Sequence, residues 1–324
     1  MGLSLDRGVF TLSLDFELVW GARDLAEHLG PLLHDARLTR DHVFGPLLDM
    51  LVERRIRATW ATVGHLFLEG AEPVGGVMHP DVVPPCHPWR KAPWWEGVPA
   101  GTERDHPEFY GRSLVLRLRD AGQELGCHGF SHAILGDPGC SRQTADTELA
   151  RCVKEARAIG VDLRTMVFPR NAVGHLDLVA RHGFRTWRAP DPAWSTRPGV
   201  PRPIGRVAHL VAVARAAEPP TVLPSPGPYG LCCVPGSASI LPIYGIRRMI
   251  PIRSRQERAL KGLRAAARDR RIFHLWMHPI NLAADPEGLL AVVRTVLDEA
   301  VRLRDEGRIE VLSVAEVTER ATQP

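Results

Sequence analysis

Short apolar runs that end on polar, chemically capable residues recur along this chain, with helical patterns between them. Residues Val9–Leu14, VFTLSL, are apolar or β-branched almost without a break until Asp15 and Glu17, the pattern of a strand buried on both faces. Thr39 is placed to cap a helix of about 14 residues, because Val43, Phe44, Leu47, Leu48, Leu51 and Val52 share one face. Arg57–Val63 reads as the next strand. A helix follows over Pro107–Ala121, with Leu114, Leu118 and Ala121 aligned and Gly122 as its stop. Another covers Ser141–Ile159 before Gly160. Thr165–Phe168 is then a strand, Leu176–His182 a short helix closed by Gly183, and Phe184–Arg188 a further strand.

Two stretches break this rhythm. Residues 70–107 are rich in Pro, Gly and Trp and show neither period, as expected of a lid or binding loop; Trp89, Trp94 and Trp95 argue that it is ordered. Residues 189–251 read as a long excursion over the barrel face, with one strand around Val207–Val213, or equally as a small subdomain. Order resumes at Ser254, where Glu257 completes a capping box for a helix to about Arg271. Strand Ile272–Met277 comes next, and Asp285 and Pro286 open a long helix as N-cap and first residue. A strand over Ile309–Leu312 and a helix capped by Ser313 with Glu316 finish the chain. About seven strand candidates alternate with helices, which predicts an α/β fold: a closed or nearly closed β/α barrel, one domain over 1–324 with long loop insertions.

At 324 residues and 44% hydrophobic, the chain can bury a large core. It has no run of about 18 apolar residues, so no membrane span is expected. An acid at position 6 precedes the first strand, which does not read as a signal peptide, and a cytoplasmic enzyme is expected. Six cysteines without CxxC spacing read as free thiols in a reducing compartment. A net charge of +4 without a basic block does not suggest nucleic acid. Nothing in the sequence sets an oligomeric state.

The chemistry gathers at three strand ends. In Glu124–His132, ELGCHGFSH, His128 and His132 stand four apart after a short apolar segment, so both rings can reach one metal ion. The first strand delivers Asp15 and Glu17, and IFHLWM delivers His278. Amide hydrolysis needs an activated water, charge stabilisation and a proton for the leaving nitrogen. Two imidazoles and a carboxylate on a metal supply the first two, and a carboxylate base with an imidazole acid supplies the proton traffic. Plainer roles exist for each residue: Asp15 as a turn acid, His278 as a satisfied histidine, Arg170 and Asn171 as carbonyl caps. Trp20, Trp187, Trp194 and Trp276 adjoin the site segments as sugar platforms or as core.

The segments LSLDFELVWG, ELGCHGFSH, VFPRN with the following GFRTWRAP, and FHLWMHPINL resemble, in order, those of the polysaccharide deacetylase family, the NodB-homology carbohydrate esterases. The resemblance implies a distorted (β/α)7-type barrel that removes acetyl groups from N-acetylated sugars with a divalent metal, usually zinc. By motif position it makes Asp15 the general base and Glu17, His128 and His132 the metal ligands. His278 becomes the general acid and Arg170 the arginine that orients the base. Trp20, Asn171, Trp94 and Trp276 are the candidate substrate contacts. The first motif here is Asp-Phe-Glu where most members carry adjacent aspartates, which leaves Asp15 as an alternative ligand. The third reads PRN where many have arginine, proline and an aromatic. A cytoplasmic setting points to a nucleotide-linked, lipid-linked or natural-product sugar as substrate. The alternatives are an amidohydrolase of the same fold acting on a cyclic amide or ureide, with or without a metal, and a catalytically silent carbohydrate-binding protein.

Overall fold

The computed structural model describes residues 5–25, 29–192 and 202–322. Its central strand is β1 (Gly8–Phe16), buried along its whole length. Alternate side chains of a strand face opposite ways. Phe10, Leu12, Leu14 and Phe16 accordingly join the main hydrophobic core, while Val9 joins a separate cluster with Val234, Ile272 and Val314. Ser13 and Asp15 lie on the same side as Val9, which makes that side of β1 polar towards its end.

A helical stretch follows, made of α1 (Leu29–Leu38), a π-type turn over Thr39–Phe44 and α2 (Gly45–Glu53). Thr39 is therefore inside the helix rather than its cap, and its hydroxyl donates to the Asp35 carbonyl one turn back at 2.7 Å. Pro46 cannot donate a backbone hydrogen bond, and the wider turn just before it accommodates that loss. β2 (Thr59–Thr62) comes next. The 70–107 segment holds only the two-residue strands β3 (Gly70–Ala71) and β4 (Gly101–Thr102), which pair with each other. The segment is tied down along its length: Cys86 N–H donates to the Gly139 carbonyl at 2.8 Å, and the Tyr110 hydroxyl donates to the Pro99 carbonyl at 2.6 Å.

The remaining elements alternate as expected: α3 (Arg112–Asp120), β5 (Glu124–Cys127), α4 (Arg142–Ala158), β6 (Thr165–Val167), α5 (Leu176–Arg181) and β7 (Thr186–Ala189). Residues 107–111, predicted as helix, form turns before α3 begins. The stretch predicted as a strand at Val207–Val213 is instead helical, within α6 (Arg202–Ala214). Leu210 and Val213 pack on Leu241 and Ile250, a spacing of three that suits a helix face and not a pleat.

The excursion also supplies the strands that complete the barrel: β8 (Ser225–Pro226), β9 (Cys232–Pro235) and β10 (Ala238–Ser239). β9 pairs parallel with β7, and β10 pairs parallel with β11 (Ile272–Met277). Between them, Gly236 N–H donates to the Ala189 carbonyl and Ser237 N–H to the His274 carbonyl, at 2.9 and 2.8 Å. One short stretch thus changes neighbours and joins the two edges of the sheet. The parallel order β11-β1-β2-β5-β6-β7-β9 curls through about three quarters of a turn, 269°, as a distorted (β/α) barrel whose two edges this seam links.

α7 (Ile252–Asp269) starts directly after Pro251, so Ser254 is not its cap and Glu257 pairs with Arg253 instead. Asp285 does cap α8 (Pro286–Asp305), accepting from Gly288 N–H at 3.0 Å. β12 (Ile309–Val311) pairs with the first residues of β1. α9 (Val314–Thr322) opens with the expected reciprocal Ser313–Glu316 box. Near the strand starts, the buried Glu124 carboxylate accepts from the Thr59 and Thr165 hydroxyls and from Ala315 N–H, which ties β2, β6 and α9 together.

Candidate active site

The candidate site is built on the alternation of β1. Ser13 and Asp15 on its inner side, and Glu17 just past its end, present hydroxyl, carboxylate and carboxylate two residues apart. Glu17 Oε1 lies 2.9 Å from His128 Nε2 and 3.3 Å from His132 Nε2. His278 Nε2 lies 3.7 Å from both Asp15 Oδ2 and Glu17 Oε1. Five side chains from three strand ends therefore converge, all buried except the half-buried His278.

The imidazoles are presented for coordination. His128 Nδ1–H donates to the Val167 carbonyl on β6 at 2.8 Å, which fixes the tautomer and leaves the Nε2 lone pair facing Glu17. His132 sits in left-handed backbone geometry, φ 63°, on the loop after β5, with a buried Nδ1 that has no hydrogen-bond partner. One ligand atom each from Glu17, His128 and His132 lies within 4.8 Å of the others, a donor set that suits zinc or a similar divalent ion. The loop is braced from α4: Glu148 accepts from Phe130 N–H at 2.7 Å, from Ser131 N–H at 2.9 Å and from the Ser131 hydroxyl at 2.5 Å. Glu148 went unnoticed in the sequence because it reads as one more polar residue on a helix.

Asp15 is held differently from Glu17. Arg188 donates to both of its oxygens, Nη1 to Oδ1 at 2.6 Å and Nη2 to Oδ2 at 2.7 Å. This corrects the expectation for Arg170, which pairs with Asp24 at 2.6 Å and lies over the Trp89 ring. The physical reason is direction. Arg188 is on β7, where alternate residues face inward, whereas Arg170 and Asn171 follow β6 in a turn with φ near 54° and 53°. Asn171 still reaches the site, its Oδ1 accepting from Arg188 Nη2 at 3.4 Å.

Behind Arg188 lies a chain that sequence reading missed. Arg188 Nη1 donates to the Ser13 hydroxyl at 3.0 Å, and that hydroxyl donates to His274 Nε2 at 2.8 Å. His274 Nδ1–H in turn donates to the Pro235 carbonyl at 3.0 Å. Burial pulls the His274 pKa to about 3, with the Arg188 charge adding to the effect, so this imidazole stays neutral. For Asp15, burial alone raises the pKa, but Arg188 and His278 overcome that and the net shift is downward. Glu17 is also raised by burial and brought well below the usual value by His278 and His132. Both carboxylates are thus ionised near neutral pH.

The tryptophans divide. Trp276 borders the cluster: Arg188 lies 4.7 Å from its ring centre, the His278 ring 5.5 Å away, and its N–H donates to Asp191 at 2.9 Å. Trp20 and Trp94, expected to touch substrate, are buried. Trp20 packs on His65 with its N–H on the Phe109 carbonyl, and Trp94 N–H donates to the Ser131 hydroxyl. Arg23 lies between their two rings. Trp89 has His87 on one face and Arg170 on the other, which leaves no free face for a sugar. Trp194 lies outside the described residues.

Residues 35–187 match the family model described as polysaccharide deacetylase. No curated protein matches the chain. Among solved structures, a Mycobacterium smegmatis protein assigned as a polysaccharide deacetylase superposes with TM-score 0.62 at 15% identity, covering 99% of this chain and 93% of that one. The Puue allantoinase gives TM-score 0.62 at 9% identity, covering 98% and 91%. A Pseudomonas aeruginosa protein assigned as a polysaccharide deacetylase gives 0.60 at 7% identity, covering 96% and 89%. At these identities the structures speak for the fold. Residues 35–187 are similar to the polysaccharide deacetylases, hydrolases that act on amide bonds, and the fold around them is the one those deacetylases share.

Proposed function

We propose that the protein is a divalent-metal-dependent N-deacetylase, with zinc as the expected ion, that hydrolyses the acetamide of an N-acetylated amino sugar in a glycan, glycolipid or small glycoside. The observation that carries this reading is the contrast between the two acids of β1. Glu17 faces two imidazole nitrogens, while both oxygens of Asp15 are engaged by Arg188. Glu17, His128 and His132 are the ligands this contrast favours, and Asp15 is left as the base. When bound, a divalent ion supplies Lewis-acid polarisation of the acetamide carbonyl and a nucleophile at neutral pH.

Asp15 takes the proton of the attacking water as the carbon–oxygen bond forms. His278, half-buried at the mouth, gives its proton to nitrogen as the carbon–nitrogen bond breaks. Arg188 holds Asp15 in place and keeps it ionised. Trp276 is the side chain best placed to border a sugar ring. Six free cysteines support a reducing, cytoplasmic setting. The test is acetate release from acetylated glucosamine oligomers, with bound metal counted in parallel. Chelator-resistant turnover, or full turnover after His128→Ala, would remove the metal mechanism.

The fold similarity to an allantoinase favours a second reading, hydrolysis of a cyclic amide or ureide. Turnover of such compounds, with acetylated sugars left intact, would select it.

A further inference from the structure

The excursion that completes the barrel also carries a surface that the catalytic reading does not use. The outer face of α6 exposes Ile204, Val207 and Val211, at 58%, 61% and 44%. Beside it, every residue from Tyr244 to Met249 is exposed, with Ile246 at 68% and Met249 at 81%. These belong to one patch: Leu210 and Val213 on the inner face of α6 pack on Leu241 and Ile250, which flank the exposed turn. The Arg247 charge also acts on His209 of α6.

The charge on the segment that carries the patch is mostly positive. Between positions 202 and 256 there are seven arginines and a single acid, Glu218, and that acid is taken by Arg268. Arg206, Arg247 and Arg248 stand exposed among the aliphatic residues. Arg255 is spent inward on the carbonyls of Leu241, Ile250 and Arg247, which fixes the shape of the exposed turn.

We propose that this patch docks the protein on an anionic lipid bilayer. Aliphatic side chains on an exposed helix and an adjoining turn, interspersed with arginines and with their neighbouring acids engaged by Tyr244, Arg253 and Arg268, match the interfacial chemistry of anionic headgroups over acyl chains. A protein surface would require complementary acids as well as an apolar counterface, whereas the bilayer offers both in one plane. Position adds a consequence. The 240–250 segment leaves β10 where Ile240 N–H donates to the Trp276 carbonyl at 3.1 Å, and the Tyr244 hydroxyl is anchored to Asp35 of α1 at 2.7 Å. The patch therefore stands at the same rim as His278, and docking would bring the mouth to the membrane surface. The docking itself does not depend on which amide is hydrolysed.

The experiment is flotation of the purified full chain with vesicles of phosphatidylcholine alone and of phosphatidylcholine with phosphatidylglycerol, at low and high salt. Binding is expected to the anionic vesicles alone and to weaken with salt. The pair Arg247→Ala with Arg248→Ala should lower partitioning by roughly thirtyfold, as two arginines near an anionic surface imply. The pair Ile246→Ser with Met249→Ser should lower it at both salt concentrations. Hydrolysis of a soluble substrate and the circular dichroism spectrum should be unchanged in both. Absence of wild-type flotation, or undiminished flotation of the variants, overturns the proposal. So does a concentration-dependent mass in sedimentation that the same variants abolish without any vesicle binding, which would assign the patch to a second copy of the chain.

Discussion

Arg188 grips both oxygens of Asp15 from the opposite side of the barrel interior, at 2.6 and 2.7 Å. A lysine can offer only a point charge in place of this planar fork. Arg188→Lys should therefore lower kcat/KM by about a hundredfold or more, in the range lost with an ill-placed base. Arg170→Lys, which perturbs the Asp24 pairing and the contact with the Trp89 ring but not Asp15, should leave kcat/KM within a few fold. A reversal of that order in an acetate-release assay would return the orienting role to Arg170.

Glu17→Gln keeps the shape of the side chain and removes its charge. Zinc content of the purified variant should fall below about half an equivalent, because a neutral amide is a poor replacement for a carboxylate ligand. Asp15→Asn should retain its zinc. Equal metal content in the two variants, measured by elemental analysis, would mean that the acids do not divide their roles.

The chain Arg188–Ser13–His274 predicts a stability cost away from the ligands. Ser13→Ala leaves buried His274 Nε2 without its donor, which should cost about 1–3 kcal/mol. The midpoint of urea unfolding should move while its slope stays constant. An unmoved midpoint would count against the tautomer assigned to His274.

Acid sensitivity should come from a second histidine pair. His65 Nδ1–H donates to the Phe109 carbonyl at 3.1 Å, and its Nε2 accepts from His79 at 3.0 Å. Burial lowers His79 to about 4 and holds His65 well below the ordinary histidine value. A depressed histidine resists in the folded state a proton that the unfolded chain accepts. The stability it contributes is complete above about pH 6.5 and is lost as the pH falls from there towards about 4. For His79 the loss should be roughly 3 kcal/mol across that window. Unfolding free energies at several pH values should show this slope, and His79→Gln should make it shallower, with the remainder from buried His65 and His274; an unchanged slope would place the sensitivity elsewhere.

The backbone of the site was legible where a strand end carries an unusual residue. Val9–Leu14 leading to Asp15 and Glu17, the His128–His132 pair, and Ile272–Met277 leading to His278 all lie at strand ends, as their apolar runs implied. Arg188 was hidden because an arginine inside TWRA gives no local sign that it faces a carboxylate 173 positions away. Buried Trp20 and Trp94 look the same in sequence as a platform tryptophan. For α6, the apolar positions 207, 210, 211 and 214 already have helical spacing; the β-branched valines drew attention from it. β9, four residues long and ending in proline, was too short to show any period.

The seam at 232–240 holds to β7 with one half and to β11 with the other, so a handful of residues sets the circumference of the ring. The segments leaving it in either direction can then grow, shrink or change character without altering the span between Asp15 and the groups opposite. A chain arranged this way can refit what it attaches to while its bond-breaking core keeps its dimensions.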